Sequence, residues 1–135
     1  MGKKTGVKRK ILYYTILDYQ PENKAILDKH FYVITLKNPD EDNREILKEV
    51  DVIIVPLGFY LGRDKIDKAP NLRIIASNTT GVPHIDVEYA EQKGIRVISL
   101  KDYQGFLRSI TPTAELTWGL ILALTRRIPW AFHSV

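Results

Sequence analysis

Short, continuous apolar runs separated by amphipathic stretches recur through most of this chain. Residues 10–17 (KILYYTIL), 31–36 (FYVITL), 51–55 (DVIIV), 72–76 (LRIIA) and 95–100 (IRVISL) are rich in β-branched and aromatic side chains, with turn-forming Asp, Asn, Pro or Gly close by. Unbroken apolar runs of this length are the mark of parallel strands covered on both faces. The intervening stretches read as helices. Pro21 suits a first helical turn, and Ala25, Ile26 and Leu27 carry the helix to about Lys29. Asp40, Glu41 and Asp42 stand where a helix dipole favours acids, ahead of the stripe Ile46, Leu47 and Val50. Ile66 and Ala69 anchor a short helix before Pro70, and the pair Ile85-Asp86 opens a helix that Gly94 closes. Five strands alternating with helices predict an α/β fold, a flavodoxin-like parallel sheet in the order 2-1-3-4-5 with right-handed crossovers and helices on both faces.

Beyond residue 100 the pattern changes. Residues 101–109 read as a loop, Thr111-Pro112 starts a helix, and Arg126-Arg127 occupy its last turn before Pro129. Leu116, Trp118, Leu120, Ile121, Leu122, Ala123 and Leu124 leave that helix hardly any polar face, so it requires partners on both sides. The expected organisation is a basic tail (1–9), an α/β domain (10–104), and a loop with an apolar helix (105–135).

Composition narrows the function. A chain of 135 residues that is 44% apolar suits one domain with a real core. It has no cysteine, no apolar run near the roughly 20 residues of a membrane span, and no apolar signal core behind its basic start. The expectation is a soluble, cytoplasmic protein with no thiolate metal site and no membrane partner. The net charge of +4 is smaller than the five positive charges of Lys3, Lys4, Lys8, Arg9 and Lys10, so the basicity belongs to the tail. A solvated tail, and not a nucleic-acid arm, is the expected reading.

The eight glycines never fall in G-x-G-x-x-G spacing, and Gly2-Lys3-Lys4-Thr5 does not make a Walker loop. His30, His84 and His133 lack the spacing of a helical metal pair, so surface or turn positions and no metal site are expected. Gly58 and Gly62 fall outside any long apolar helix and read as loop. The stretch that attracts a functional reading follows the fourth strand: Ser77, Asn78, Thr79, Thr80, Gly81 and Val82. Ligand sites of open α/β sheets form at carboxyl ends of strands, and this loop offers backbone N–H groups and a glycine that lets an anion approach the main chain. An ordinary strand-to-helix turn with capping side chains is the alternative.

The run Asn78-Thr79-Thr80-Gly81-Val82-Pro83-His84-Ile85-Asp86, followed by Gly94-Ile95-Arg96-Val97, resembles the D-isomer-specific 2-hydroxyacid dehydrogenases. The resemblance continues at Thr111-Pro112-Thr113-Ala114-Glu115-Leu116 and through the helix to Arg126-Arg127-Ile128-Pro129. It implies a substrate domain whose loop, at Asn78, Thr79, Thr80, Gly81 and Val82, binds the carboxylate of a small 2-hydroxy or 2-oxo acid through main-chain N–H groups. It implies NAD as the cofactor of the full-length protein, with Thr113 touching its nicotinamide end, and makes the apolar helix the crossing to a Rossmann domain. The catalytic arginine, acid and histidine of the family belong to that other domain, so no catalytic residue is expected here. The isolated chain is expected to bind no NAD, to be inactive, and to form a homodimer through its apolar helix. The loops after strands 1 and 3 (Asp18-Tyr19, Leu57-Gly58) depart from the commoner family forms.

Two other classes compete. A response-regulator receiver shares the strand order, but it needs an aspartate after strand 3 where this chain has Pro56-Leu57. Thr79 and Lys101 alone do not make one. A non-catalytic ligand-binding or dimerising module of the same ancestry would be distinguished by the apolar helix and by Trp130 and Phe132 beyond it.

Overall fold

The computed structural model describes residues 8–127. They fall into two compact units that divide between Asp102 and Tyr103. In the first unit, β1 (Lys10–Tyr14), α1 (Pro21–His30), β2 (Tyr32–Leu36), α2 (Arg44–Glu49), β3 (Val52–Ile54), α3 (Arg63–Asp67), β4 (Ile74–Ala76), α4 (Val87–Gln92) and β5 (Arg96–Ile98) alternate. The five strands form one sheet in the order β2-β1-β3-β4-β5, every pair parallel. The expected fold class is therefore the observed one.

Strand alternation sorts the apolar residues onto two faces. Leu12, Tyr14, Ile53, Val55 and Ile75 pack with Leu47 of α2, Ile66 of α3 and Ala90 of α4 in the larger core cluster. On the opposite face Ile11, Tyr13, Val52 and Ile54 pack with Leu27 of α1 and with Phe31. β3 is buried along its whole length, as its unbroken apolar run predicts.

At the amino ends of the strands one residue gathers three of them. The Asp51 carboxylate accepts from the Lys10 N–H (2.9 Å) and from the Arg9 guanidinium (2.9 Å), and the Asp51 carbonyl accepts from the Arg73 N–H (2.8 Å) and the Ile74 N–H (3.2 Å). Lys10 also pairs with Glu49, and the Lys8 ammonium donates to the Asp28 carbonyl. Lys8 and Arg9, read above as part of a solvated tail, thus fasten the start of β1 to its neighbours.

Several boundaries differ from the sequence reading. β1 stops at Tyr14, because Thr15–Leu17 wind into a 3-10 turn closed by Asp18 in a left-handed conformation (φ 47°). Residues 101–109 are not simply loop. A 3-10 turn (Leu100–Asp102) and the short helix α5 (Gln104–Arg108) fill most of them.

The second unit holds α5 and α6 (Pro112–Thr125). Arg126 and Arg127 do not sit in the last turn of α6: Arg126 caps it through its N–H to the Leu122 carbonyl (2.9 Å), and Arg127 leaves in a left-handed conformation. Thr111 does not cap the backbone with its side chain, since its hydroxyl meets the Glu115 carboxylate. No residue of α6 is buried. Trp130, Phe132 and His133 lie outside the described residues. No helix among the described residues is long and apolar enough to cross a membrane.

Candidate functional site

The site is built where β4 ends. The Ser77 N–H donates to the Ile98 carbonyl (2.9 Å), the rung that follows the β4–β5 ladder, and the Leu100 N–H reaches the Thr79 carbonyl (3.1 Å). The far end is fixed by a bridge between Leu61 and Ile85, with the Leu61 N–H on the His84 carbonyl (2.8 Å) and the Asp86 N–H on the Leu61 carbonyl (3.1 Å). Asp86 then caps α4 by accepting from the Tyr89 N–H (3.1 Å), as expected of the Ile-Asp pair. Both ends are buried, whereas Asn78, Thr80, Gly81 and Pro83 between them are exposed. Five predicted substrate residues, Asn78 to Val82, thus come together as one exposed loop on two fixed posts.

Main-chain donors dominate this loop. Among the described residues, none of the N–H groups of Asn78, Thr79, Thr80, Gly81 and Val82 donates to a protein acceptor. Consecutive N–H groups left for solvent at a strand-to-helix turn are open to an anionic acceptor. Gly81 adds a second point. Its φ is not left-handed, and a Cβ built there would meet only Pro83 Cδ, at an ordinary 3.7 Å. Neither backbone conformation nor packing requires a glycine at 81, so access to the main chain is the property left to account for it.

His84 takes the turn position of the two, surface or turn, expected for a histidine here. It stands in the turn before α4, but only 7% of it is exposed, and its Nε2 lies 3.2 Å from the Ser77 hydroxyl. Ser77 in turn meets the Thr79 hydroxyl at 2.7 Å, and Thr79 donates to the Gly81 carbonyl at 2.6 Å. His84 Nδ1 has no hydrogen-bond partner among the described residues. Burial holds the imidazole below its ordinary pKa. Because the unfolded chain then binds the proton more readily, this residue lowers stability as pH falls through about 6.5 and leaves it unaffected above. Urea midpoints are therefore expected to drop between pH 7.5 and 5.5, and the drop should shrink in His84→Gln. An unchanged drop would assign it elsewhere.

The loops after β1 and β3 are set by other contacts. The Tyr19 N–H donates to the Tyr13 hydroxyl (3.1 Å), and Leu57 is exposed beside Gly58, which takes φ 94°. Behind them Tyr14, Asp42 and Lys65 form a polar knot. The Tyr14 hydroxyl and the Lys65 ammonium donate to opposite oxygens of Asp42 at 2.8 and 2.9 Å, and Lys65 also reaches the Pro39 carbonyl at 2.8 Å. The Asp42 side chain is 3% exposed. Burial first, and the Asp42 charge second, push the Tyr14 hydroxyl far up, so it stays a donor.

Thr113 lies in the first turn of α6, in the second unit, and its carbonyl accepts from the Thr117 hydroxyl (2.8 Å). Among the described residues there is no grouping of three or more His, Asp or Glu suited to a metal. A hollow of about 690 Å³ beside α2 and α3 is lined by Arg44, Lys48, Asp64, Asp67, Lys68 and Pro70. Its mixed charges are exposed, and it takes no part in the loop.

Comparison with known proteins decides the family. The pattern of the D-isomer specific 2-hydroxyacid dehydrogenase catalytic domain matches residues 11–119. The chain belongs to this family. Within the curated relatives, the D-3-phosphoglycerate dehydrogenase of Methanocaldococcus jannaschii is 42% identical over 95 residues, covering 70% of this chain and 17% of that protein. The glyoxylate reductase of Thermococcus kodakarensis is 35% identical over 118 residues, covering 84% and 34%. The D-lactate dehydrogenase of Aquifex aeolicus, solved as a complex with NAD and lactic acid, shares the fold. It has a TM-score of 0.68 at 24% identity and covers 87% of this chain and 34% of that one. This dehydrogenase domain thus spans about a third or less of the length of these relatives.

No glycine-rich strand-to-helix turn of dinucleotide-binding spacing occurs in the 135 residues.

Proposed function

We propose that this chain is the substrate-binding part of an NAD-dependent oxidoreductase acting on the CH–OH group of a D-2-hydroxy acid. The observation that carries the proposal is the run of main-chain N–H groups from Asn78 to Val82, unengaged by protein acceptors, around a glycine that the fold does not require. Backbone donors suit a carboxylate next to a reacting carbonyl, because they stabilise charge without adding a group that titrates. On this reading Thr80, Gly81 and Val82 hold the carboxylate, and Asn78 and Thr79 complete the wall. NAD, bound by a Rossmann domain outside these residues, supplies or accepts the hydride at C2, and Thr113 would face its nicotinamide end. The acid/base histidine and the arginine would come from that domain, so this chain alone is inactive. The reading places the protein in the cytoplasm, in keeping with its lack of cysteine.

Titration of the 135-residue chain with NADH and a panel of 2-oxo acids tests this. Weak heat from an oxo acid with no NADH binding is the expected result. Tight NADH binding or turnover would overturn the division of labour, and no response to any oxo acid would overturn the substrate site.

A second reading, a non-catalytic dimerising module, is favoured by one observation: α6 is apolar on all sides and buries none of its residues. A helix of that kind is stable in water only against a partner surface. The isolated chain is therefore expected to sediment as a homodimer joined through α6, and Leu120→Glu with Leu124→Glu should return it to monomer. A clean monomer before substitution, binding no apolar dye, would count against the dimer.

A further inference from the structure

The three side-chain contacts beneath the loop can all carry a hydrogen in only one sense. The Gly81 carbonyl can only accept, so the single O–H of Thr79 points to it. Thr79 must then accept from Ser77, whose O–H is thereby committed. Ser77 has only lone pairs left to offer His84, so the hydrogen of that contact sits on Nε2. The neutral imidazole consequently carries a bare Nδ1, and Nδ1 is the atom with no partner among the described residues. Orphaned buried N–H groups are rarer in proteins than under-satisfied acceptors, which agrees with the same assignment.

The chain of donors acts on one peptide plane. No cis peptide occurs among the described residues, so the Gly81 C=O and the Val82 N–H point in opposite directions. Drawing the Gly81 oxygen toward Thr79 turns the Val82 N–H away from the hydroxyls. The Val82 side chain packs on the core cluster and holds the other end of the residue.

We propose that His84 is a positioning residue: as the Nε2–H tautomer it starts a one-way hydrogen-bond chain, through Ser77 and Thr79 to the Gly81 carbonyl, that aims the Val82 N–H at the substrate carboxylate. The aim of the donor rests on the function proposed above, whereas the tautomer and the peptide orientation do not. His84 touches no reacting atom in this scheme. It fixes the loop from beneath, and its ring is held between the two ends of the loop it controls.

The test uses the 15N-labelled 135-residue chain at neutral pH. Long-range nitrogen correlation spectra should show His84 protonated at Nε2 and bare at Nδ1. An Nδ1–H tautomer, or an even mixture, overturns the proposal. Glyoxylate is then titrated into the wild type, His84→Gln, His84→Leu and Thr79→Val. Gln places an N–H donor near the Nε2 position and should bind as the wild type does. Leu and Val should each weaken binding about tenfold and shift the Val82 amide resonance. Leu and Val variants that fold and bind as the wild type does overturn the proposal, as does a Gln variant as weak as Leu. If His84→Leu fails to fold, Thr79→Val, which keeps the shape of the side chain, decides the matter. If the wild type binds neither glyoxylate nor any other 2-oxo acid of the panel, the functional reading fails, and the tautomer with the Val82 resonance still decides whether the chain of donors exists.

Discussion

Gly81→Ala should weaken binding of a small 2-oxo acid by about tenfold or more while leaving the chain folded and no less stable. The two halves of this expectation have separate causes. The added methyl meets only Pro83 Cδ at 3.7 Å, and the residue is not in the left-handed region, so nothing in the protein has to move. Replacing a flexible glycine under those conditions restricts the unfolded chain and adds about 0.5 kcal/mol of stability. A carboxylate bound to main-chain N–H groups, however, approaches to about 2.9 Å, where a Cβ intrudes. Gly81→Val should enlarge the loss of binding. Glyoxylate titration beside urea unfolding of the same samples checks both halves. Unaltered binding with unaltered stability would remove the loop from the substrate site.

Lys65→Met is expected to destabilise the first unit by about 2–3 kcal/mol, the largest effect foreseen for a residue outside the sheet. Asp42 is the reason. Its carboxylate is almost wholly buried, with Lys65 on one oxygen and Tyr14 on the other, and methionine would leave a buried charge supported by a single neutral donor. The figure lies below that for a fully buried pair because the Lys65 side chain is 30% exposed and water already shares its charge. Adding Asp42→Leu to Lys65→Met removes the stranded charge and should recover part of the loss, though not all, since the Tyr14 hydroxyl then lacks its acceptor. A shift in urea midpoint at constant slope measures the effect. A cost below about 0.5 kcal/mol would mean that Asp42 stays hydrated, contrary to its burial.

The sheet was legible because its strands are covered and therefore read as unbroken apolar runs. The same property blurred their ends. Leu72 is apolar because it packs in the core, yet it lies ahead of β4, and Leu100 belongs to a 3-10 turn after β5. Apolar composition reports burial, and a strand ends where its ladder ends. The loop 78–82 was visible through its small residues and its place after β4. The burial of His84 was not, because a histidine in a turn looks alike whether it faces water or a hydroxyl seven residues earlier. Tyr14, Asp42 and Lys65 are separated by 28 and 23 residues, and no periodic pattern connects them. Gln104–Arg108 offered neither a cap nor an apolar stripe by which a helix could have been told from a loop.

The gathering of β1, β3 and β4 at Asp51 has a bearing on how such a domain can change over time. Its strands are tied together at their amino ends, whereas the residues that would meet a ligand, near 16–19, 57–60 and 78–83, project from the opposite ends. Substitutions that reshape those loops leave the Asp51 contacts intact. On the function proposed above, the choice of hydroxy acid can therefore drift without loosening the strand starts.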